Sequence, residues 1–462
     1  MEAIILDIVA NYINKYLWNY ILVFILIGMG LFFTIKTRFV QIRCFGEGCR
    51  NVFGKMFDKS TNKNGISSFQ SFATAVAAQV GTGNIVGACG AILVGGPGAI
   101  FWMWVIAFFG MATIYAEAIL AQKTRVVNED GTVSGGPVYY IKKAFNNKFG
   151  KFLAAFFAIA SILALGFMGA MVQSNSIGEA CANAFNIPAW SVGLVMVAVS
   201  ALIFVFGVKG IAKFSEKIVP IMAILYLVGG IIIVACRIKY IPETFGLIFK
   251  YAFEPKAILG GGIGTAILQG AKRGLFSNEA GMGSTPHAHA LADVKDPHTQ
   301  GTTAIVSVFL DTFVVVTMTA LIVISTLYAG GGVLGTGIDS SLVGVSKTNM
   351  AQAAFATIFT GSIGAKISGI FVAICLTFFA FSTIISWNLF GKINMEYLFG
   401  KKSAIVYSII AIGFIFLGSC LSNDLVWELT DTFNGLMVLP NAVALIALCG
   451  MVPVIKRSKK DK

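Results

Sequence analysis

Residues 79–87 read Gln79-Val80-Gly81-Thr82-Gly83-Asn84-Ile85-Val86-Gly87, and Gly95-Gly96-Pro97-Gly98 follows shortly after them. These glycines and polar residues interrupt an apolar segment that is long enough to cross a membrane. A break at membrane depth is tolerated only inside protein or beside a water-filled cavity, because lipid cannot satisfy the freed backbone groups. Secondary transporters hold their substrate and coupling ion at breaks of this kind. The stretch therefore predicts a solute transporter whose binding site lies here.

The composition indicates a membrane protein from end to end. Of the 462 residues, 57% are hydrophobic and only 12% are charged, about half the charge of a typical soluble protein. Apolar runs long enough to span a bilayer recur along the whole chain. They predict an all-α polytopic membrane protein with eleven transmembrane helices, near residues 17–35, 66–94, 98–122, 152–178, 188–207, 218–236, 257–271, 301–328, 361–390, 403–421 and 426–454.

The basic residues are distributed unevenly between the two sides of the membrane. If the loops alternate, 27 of the 34 Lys and Arg fall on one side, in loops that include residues 36–65, 123–151 and 272–300. Cytoplasmic loops carry such an excess, so we predict the N-terminus outside, the C-terminus in the cytoplasm, and a location in the plasma membrane. The net charge of +13 then reflects topology, and we expect no nucleic acid partner.

The spans divide into one helix plus two halves of five. Residues 1–65 hold an extra N-terminal helix and a basic loop, 66–236 the first repeat, 257–454 the second repeat, and 455–462 a basic tail. Halves with an odd number of spans have opposite orientations in the membrane. Each half opens with a glycine-interrupted span, at Val80–Gly90 and at Gly260–Gly264, and matched interruptions point to a transporter's binding site. The alternative is that these glycines only allow close helix packing.

No pattern for covalent chemistry is present, so the sequence predicts no enzyme and no cofactor other than a coupling ion. A phosphate-binding loop, a Gly-x-Ser-x-Gly motif and a metal-ligand cluster within a span are all lacking. The eight cysteines are expected to be structural, and the pair His287 and His289 is not expected to bind metal. Glu117 and Asp311 lie within predicted spans and are either proton sites or hydrogen-bond anchors between helices.

The charges near the predicted breaks favour a small zwitterion as the substrate. No Lys or Arg lies near Gly81–Asn84 or Gly260–Gly264 to bind an anion. A carboxylate would then bind exposed N–H groups at a half-helix N-terminus, aided by the helix dipole. A substrate ammonium group would bind carbonyls freed at the second break. This arrangement suits an amino acid better than a sugar or a multivalent ion.

A second group of polar residues lies in the span near 361–390. Ser382 and Thr383 provide adjacent hydroxyls, and Trp387 follows one turn later on the same face. Such hydroxyls either bond back to their own helix or, with the carbonyls of Ala77 and Val80, form a neutral oxygen cage for a monovalent cation. Gln173 is either a link between helices or a wall of the pocket.

Several long motifs resemble those of the alanine/glycine:cation symporter family. They are the stretch 79–87, Gly95-Gly96-Pro97-Gly98-Ala99-Ile100-Phe101-Trp102-Met103-Trp104, Phe276-Ser277-Asn278-Glu279-Ala280-Gly281-Met282-Gly283, Val172-Gln173-Ser174-Asn175-Ser176-Ile177, and Phe381-Ser382-Thr383 with Trp387. The resemblance covers nearly the whole chain. It implies a LeuT-like inverted five-plus-five fold with one extra N-terminal helix, and cotransport of alanine or glycine with sodium. Proton coupling and a passive channel are the alternatives, and the protein is expected to be a monomer in the lipid bilayer.

The resemblance also implies two sets of site residues. The sodium site would use the carbonyls of Ala77, Val80 and Phe379 and the hydroxyls of Ser382 and Thr383. A substrate carboxylate would meet the amides of Thr82 and Gly83. The expected substrate-binding residues are Gln79, Thr82, Gly83, Asn84, Phe167, Gln173, Gly262, Gly264, Thr383 and Trp387.

Overall fold

The computed structural model describes residues 2–54, 65–129, 131–204, 207–254, 264–359 and 361–454, and these residues are almost entirely helical. One short antiparallel ladder pairs β1, Val126–Val127, with β2, Val133–Ser134. The helices are α1 Glu2–Lys36, α2 Val40–Arg43, α3 Phe45–Phe53, α4 Ser68–Gln79, α5 Gly83–Gly95, α6 Ala99–Thr124, α7 Pro137–Ala144, α8 Lys148–Phe185, α9 Ala189–Phe204, α10 Gly207–Cys236, α11 Ile241–Ala252, α12 Thr265–Asn278, α13 Pro286–Leu291, α14 Pro297–Leu327, α15 Met350–Ala356, α16 Gly361–Phe399, α17 Ser403–Gly418 and α18 Asn423–Ala447.

The described residues contain seven single helices that are long and apolar enough to cross a membrane. They are α1, α6, α8, α10, α14, α16 and α18, and the bent pair α4–α5 forms an eighth candidate. Two further apolar helices, α9 and α17, have 16 residues each. The polytopic helical architecture is therefore confirmed, and the total of eleven spans stays a prediction.

The first predicted break is present where the sequence places it. Helix α4 begins with a capping box, in which the Ser67 hydroxyl accepts from the Gln70 amide while the Gln70 side chain accepts from the Ser67 amide. The helix ends at Gln79, and α5 begins at Gly83 with an axis bent by 47° from that of α4. The sharp bend matches the glycines, which lower helix propensity. Helix α16 packs against α4 beside this break.

A further break in the chain, the second break of the described residues, follows α12. The predicted interruption at Gly260–Gly264 lies outside the described residues except for Gly264, which directly precedes the first residue of α12. Helix α12 ends at Asn278, and the backbone takes positive φ at Glu279 (58°), Gly281 (90°) and Gly283 (84°) before α13 begins. Such angles stop an α-helix.

The prediction that residues 272–300 form one cytoplasmic loop is consequently wrong. Residues 272–278 continue α12, residues 286–291 form α13, and α14 begins at Pro297. Lys272 and Arg273, which the charge count assigned to this loop, are buried within α12. Both bind acidic residues of α18.

The extra N-terminal helix packs against the last span. The Asn14 side-chain amide donates to the Glu428 carboxylate at 2.5 Å and to the Glu428 carbonyl at 2.8 Å. The Trp18 indole N–H donates to the Asp431 backbone carbonyl at 3.3 Å, and the Thr432 hydroxyl donates to the side-chain oxygen of Asn14, Oδ1, at 2.9 Å. Asn14 and Trp18 are buried, so α1 is joined to α18 through polar contacts as well as apolar ones.

Candidate functional site

Side chains from other parts of the chain satisfy the backbone amides freed at the first break. The Gly81 amide donates to the Asn84 side chain at 2.9 Å, and the Thr82 amide donates to Gln173 Oε1 of α8 at 3.1 Å. Buried backbone donors require such partners. Gln173 thus lies at the break. It accepts from the Thr82 amide, which is one of the groups expected to bind a substrate carboxylate.

The predicted sodium ligands lie together beside this break. The Thr383 hydroxyl is 2.9 Å from the Ala77 carbonyl oxygen, 3.1 Å from that of Phe379 and 3.5 Å from that of Val80. The Ser382 hydroxyl is 2.9 Å from the Phe379 carbonyl oxygen and 3.5 Å from that of Ala77. Uncharged oxygens from an interrupted helix and a facing helix are the groups with which transporters of this architecture coordinate sodium.

The two breaks contact each other directly. The Gln79 side-chain amide donates to the Asn278 carbonyl at the end of α12, at 2.7 Å. A Cβ on Gly83 would lie 2.9 Å from Phe276 Cδ1 and 3.1 Å from Ser277 Cα. Gly83 therefore allows α5 to approach α12. A Cβ on Gly81 would instead lie 2.5 Å from the Thr383 hydroxyl oxygen and 3.1 Å from Gln173 Oε1, so Gly81 is the glycine that adjoins the cation ligands.

Glu117 anchors the second break to its surroundings. Its carboxylate accepts from the Gly281 amide at 3.1 Å and from the Asn441 side-chain amide at 2.7 Å. Asn441 also donates to the Gly281 carbonyl at 2.9 Å. The unwound segment thus has side-chain partners from α6 and α18, as buried polar backbone requires. This observation favours the hydrogen-bond anchor over the proton site for Glu117.

Asp311 joins the two breaks from α14. Its carboxylate accepts from the Asn84 side chain at 2.5 Å, from the Ser277 hydroxyl at 2.9 Å and from the Thr312 hydroxyl at 2.8 Å. Each of these residues is fully buried. Asn84 therefore bonds to Asp311 and to the Gly81 amide at once, and it holds the first break against α14.

Three buried polar atoms at the first break have no hydrogen-bond partner among the described residues: Gln79 Oε1, Thr82 Oγ1 and Gln173 Nε2. Leaving one buried polar atom unpaired costs about 1–3 kcal/mol. Together they offer a carbonyl acceptor, a hydroxyl and an amide donor. A ligand with both acceptor and donor groups carries the complementary groups.

Trp387 closes one side of this region. Its indole N–H donates to Glu279 at 2.5 Å, and its ring packs edge-on against Phe276 with centroids 5.8 Å apart. A Cβ on Gly169 would lie 2.3 Å from the Trp387 ring, so the glycine makes room for the indole. Trp387 is 1% exposed, and its position is therefore fixed by packing on several sides.

Phe167, an expected substrate-binding residue, packs against α17 rather than against the residues at the two breaks. Its ring stacks on Phe414 with centroids 4.6 Å apart and on Tyr407 with centroids 5.8 Å apart. Both partners belong to α17. The residue of this segment that contacts Trp387 is Gly169, two positions further along.

An ion-pair cluster of α12 and α18 lies beside α5, the helix that follows the first break. Arg273 binds Asp431 through two hydrogen bonds, of 2.7 and 3.2 Å, and its guanidinium lies 4.5 Å from the centre of the Trp427 ring. Lys272 lies 2.8 Å from Asp431 and 3.2 Å from Glu428. A Cβ on Gly87 of α5 would be 3.5 Å from Trp427 and 3.9 Å from Arg273.

Lys272, Arg273, Trp427 and Glu428 line a cavity of about 240 Å³ together with Lys347 and Asp424. The cluster could not be predicted from the sequence, because buried Lys and Arg are rare in spans and their partners lie more than 150 positions away. Ser277, Asn278 and Glu279 were also not predicted as site residues, although they lie in the quoted motif of residues 276–283.

Comparisons with known proteins agree with this architecture. The sequence profile of the sodium:alanine symporter family matches residues 2–461. The chain is 41% identical to the sodium/alanine symporter AgcS of Methanococcus maripaludis over 96% of this chain and 95% of that protein. It is 39% identical to the putative sodium/proton-dependent alanine carrier protein YrbD of Bacillus subtilis, over 96% of this chain and 90% of that protein. It is 38% identical to the probable sodium/glutamine symporter GlnT of Bacillus subtilis, over 97% and 89%.

Solved structures show the same fold at much lower sequence identity. MhsT, crystallised in complex with L-phenylalanine, matches with a TM-score of 0.59 and 15% identity, over 85% of this chain and 99% of that chain. A manganese transporter of Eremococcus coleocola matches with a TM-score of 0.54 and 11% identity, over 84% and 81%. The predicted LeuT-like fold is thereby confirmed. The profile match and the relatives show that the chain belongs to the sodium:alanine symporter family and is a symporter rather than an enzyme.

Proposed function

We propose that this protein takes up alanine or glycine by symport with sodium, through alternating access to a site at the two helix breaks. The observation that carries the proposal is the set of unpaired polar atoms beside the oxygen cluster. Gln79 Oε1 accepts only, Gln173 Nε2 donates only, and the Thr82 hydroxyl can do either. An amino acid supplies the matching pair, because its ammonium group donates and its carboxylate accepts.

The electrostatics of the region support a neutral zwitterion over an anion. The two cations beside α5, Lys272 and Arg273, are already bound by Asp431 and Glu428. The substrate carboxylate would therefore bind to Gln173, the Thr82 hydroxyl and the backbone at the N-terminus of α5, where the helix dipole favours negative charge. The ammonium group would bind to Gln79 Oε1.

Sodium would bind the neighbouring oxygens of Ala77, Val80, Phe379, Ser382 and Thr383. Because Ala77 and Val80 belong to the first break and the other three to α16, a cation there holds the two elements together. The substrate also contacts the first break, so binding of one ligand would favour binding of the other. Linkage of this kind makes the effect reciprocal, which is what symport requires.

Trp387 and its neighbours would limit the size of the substrate. The indole is packed between Phe276 and Gly169 and is held by Glu279. A side chain larger than methyl would have to displace one of these groups. Overfilling a packed site costs about 1–3 kcal/mol, which favours alanine and glycine over leucine.

Uptake into liposomes tests the proposal directly. Purified protein is reconstituted, and uptake of labelled alanine is measured with an inward gradient of sodium, potassium or protons as the single variable. We expect accumulation with sodium alone, and competition by unlabelled glycine. Accumulation driven by protons alone would establish the proton-coupled alternative. Equilibration without accumulation or counterflow would establish a passive channel.

A further inference from the structure

Three potential metal ligands meet far from the helix breaks. The thiol sulfur of Cys44, a carboxylate oxygen of Glu47 and a ring nitrogen of His298 all lie within 4.8 Å of one another. We propose that these three side chains form a binding site for a divalent transition-metal ion of the Zn²⁺ type. This inference departs from the expectation that the cysteines are structural only.

The chemistry of the three groups suits zinc. Zn²⁺ binds cysteine sulfur, histidine nitrogen and carboxylate oxygen, and it accepts three protein ligands plus water in a tetrahedral arrangement. Cys44 is 6% exposed and His298 is 8% exposed, while the Glu47 side chain is 42% exposed. The two buried ligands thus come from the protein interior, and the open side at Glu47 leaves space for ion entry and for a bound water.

The partners of the two ring nitrogens of His298 indicate that Nε2 is the nitrogen that would bind a metal. The Tyr115 hydroxyl lies 2.8 Å from His298 Nδ1, whereas Nε2 faces Glu47 at 3.2 Å. If Nδ1 carries the proton and donates it to Tyr115, Nε2 has a free lone pair directed at the cluster. Metal-binding histidines nearly always have such a second partner, which fixes the ring and its tautomer.

The backbone positions of the ligands are also fixed. Cys44 directly precedes α3, and Glu47 lies in its first turn. His298 lies in the first turn of α14, where its amide donates to Asp296 at 2.9 Å. A Cβ on Gly48 would lie 2.5 Å from the Thr302 carbonyl oxygen, so α3 and α14 are in close contact at this point. An ion would cross-link α3 to α14 with little rearrangement.

Sequence spacing could not reveal this site. Glu47 and His298 are 251 positions apart, and the nearby His287 and His289 have other partners. His287 bonds to Asn394 and stacks on Phe390, while His289 bonds to Gln300. On the predicted topology the cluster is cytoplasmic, where thiols stay reduced and remain able to bind metal.

Cobalt binding to the purified full-length protein in detergent tests the proposal. Co²⁺ bound by a thiolate gives a charge-transfer band in the near ultraviolet, and added Zn²⁺ should abolish it. We expect the band in the wild type and in Cys49→Ser, which removes the other cysteine of α3. It should be absent in Cys44→Ser. Glu47→Gln and His298→Asn should weaken binding at least tenfold, and Tyr115→Phe by about 10- to 100-fold through the lost partner of Nδ1.

A stability measurement gives an independent readout. A ligand that binds only the folded state raises its stability, so a given concentration of Zn²⁺ should raise the Tm of the wild type more than that of Glu47→Gln. Glu47 is partly exposed, so this variant should fold even if Cys44→Ser does not. Absence of the cobalt band in the wild type overturns the proposal and leaves Glu47 and His298 as an ion pair. A band that persists in Cys44→Ser and disappears in Cys49→Ser does the same.

Discussion

Arg273 of α12 and Asp431 of α18 form a two-point ion pair, with Nη2–Oδ2 at 2.7 Å and Nη1–Oδ1 at 3.2 Å. The pair lies against Trp427 and near Gly87 of α5, the helix that follows the first break. Because the Asp431 side chain is 1% exposed, its contribution to stability depends on retention of both partners. Breaking a buried pair from one side is costly, since it leaves a buried charge unpaired.

We therefore expect Asp431→Asn to lower the stability of the protein strongly. The cost should be about 3–5 kcal/mol, the usual effect of removing one member of a buried pair. The matched control is Asp424→Asn, whose side chain is 71% exposed and pairs with Lys347, and which should cost at most about 1 kcal/mol. Thermal unfolding in detergent compares the two. Equal Tm shifts would show that the Arg273–Asp431 pair carries no special weight.

Thr383→Val should impair the response to sodium. The substitution keeps the shape of the side chain and removes the hydroxyl that lies near four carbonyl oxygens, those of Ala77, Ala78, Val80 and Phe379. One hydrogen-bonding partner of a charged group is worth about 1.5–3 kcal/mol, so the sodium concentration for half-maximal uptake should rise about 10- to 100-fold.

Thr377→Val is the control for that experiment, because the Thr377 hydroxyl donates to the Ala373 carbonyl of its own helix at 2.7 Å and contacts none of the predicted sodium ligands. Its sodium response should match the wild type, and Thr383→Ser, which retains the hydroxyl, should recover most of the affinity. An unchanged sodium response in Thr383→Val would rule out this cation site.

Gln173→Leu should raise the KM for alanine more than it alters the sodium response. The substitution removes both the unpaired amide donor and the acceptor of the Thr82 amide. Asn183→Leu, on the same helix, is the control, since Asn183 pairs with Gln352 away from the breaks. In the wild type, alanine amide should compete poorly with labelled alanine, because it has no carboxylate. Equal competition by alanine and alanine amide would refute carboxylate recognition at this break.

Trp387→Leu should widen the range of accepted amino acids. The smaller side chain opens space next to Gly169 and Phe276, and one methylene group in such a pocket changes specificity by about 10- to 200-fold. Uptake of labelled leucine relative to alanine measures the change. Trp190→Leu, at a tryptophan that is 52% exposed on α9, should leave the ratio unaltered. The small-pocket assignment fails if the wild type already transports leucine as well as alanine.

Native cysteines allow a test of the orientation. Cys236 and Cys420 are exposed, and the predicted topology places both outside the cell. A membrane-impermeant maleimide should therefore label intact cells that express the wild type. The triple variant Cys181→Ser, Cys236→Ser, Cys420→Ser, which also removes the partly exposed Cys181 of the outer side, should not be labelled until the cells are lysed, when Cys49 becomes accessible. Labelling of the triple variant in intact cells would reverse the topology.

The sequence was informative where the signal was local. Glycines beside Thr82 and Asn84 in an apolar run located the first break, and the hydroxyls of Ser382 and Thr383 pointed to the same region. The break after α12 was not predicted, because its first residue is Glu279 and its glycines, Gly281 and Gly283, do not form a run. The Glu279 side chain there contacts Ser284 and Trp387, which are distant from it in sequence or beyond the break.

Long-range pairing accounts for the other differences. From their charge alone, Lys272 and Arg273 are expected in a loop. In the structure they are buried, and Asp431 of a distant helix is their partner. Gly83 illustrates the same limit at close range. It is an expected substrate-binding residue, and the space in which a Cβ on it would lie is filled by Phe276 and Ser277.

The contacts of Asn14 have a consequence for attempts to shorten this protein. A chain that begins at the first repeat would lack the Asn14 amide that binds Glu428 and the Asn14 oxygen that accepts from the Thr432 hydroxyl, and it would expose one face of α18 to lipid. Lipid offers no replacement hydrogen bonds, so deletion of α1 alone should yield an unstable product. A viable minimal version would need apolar substitutions on that face of α18, or α1 supplied as a separate peptide that reassembles with the remainder.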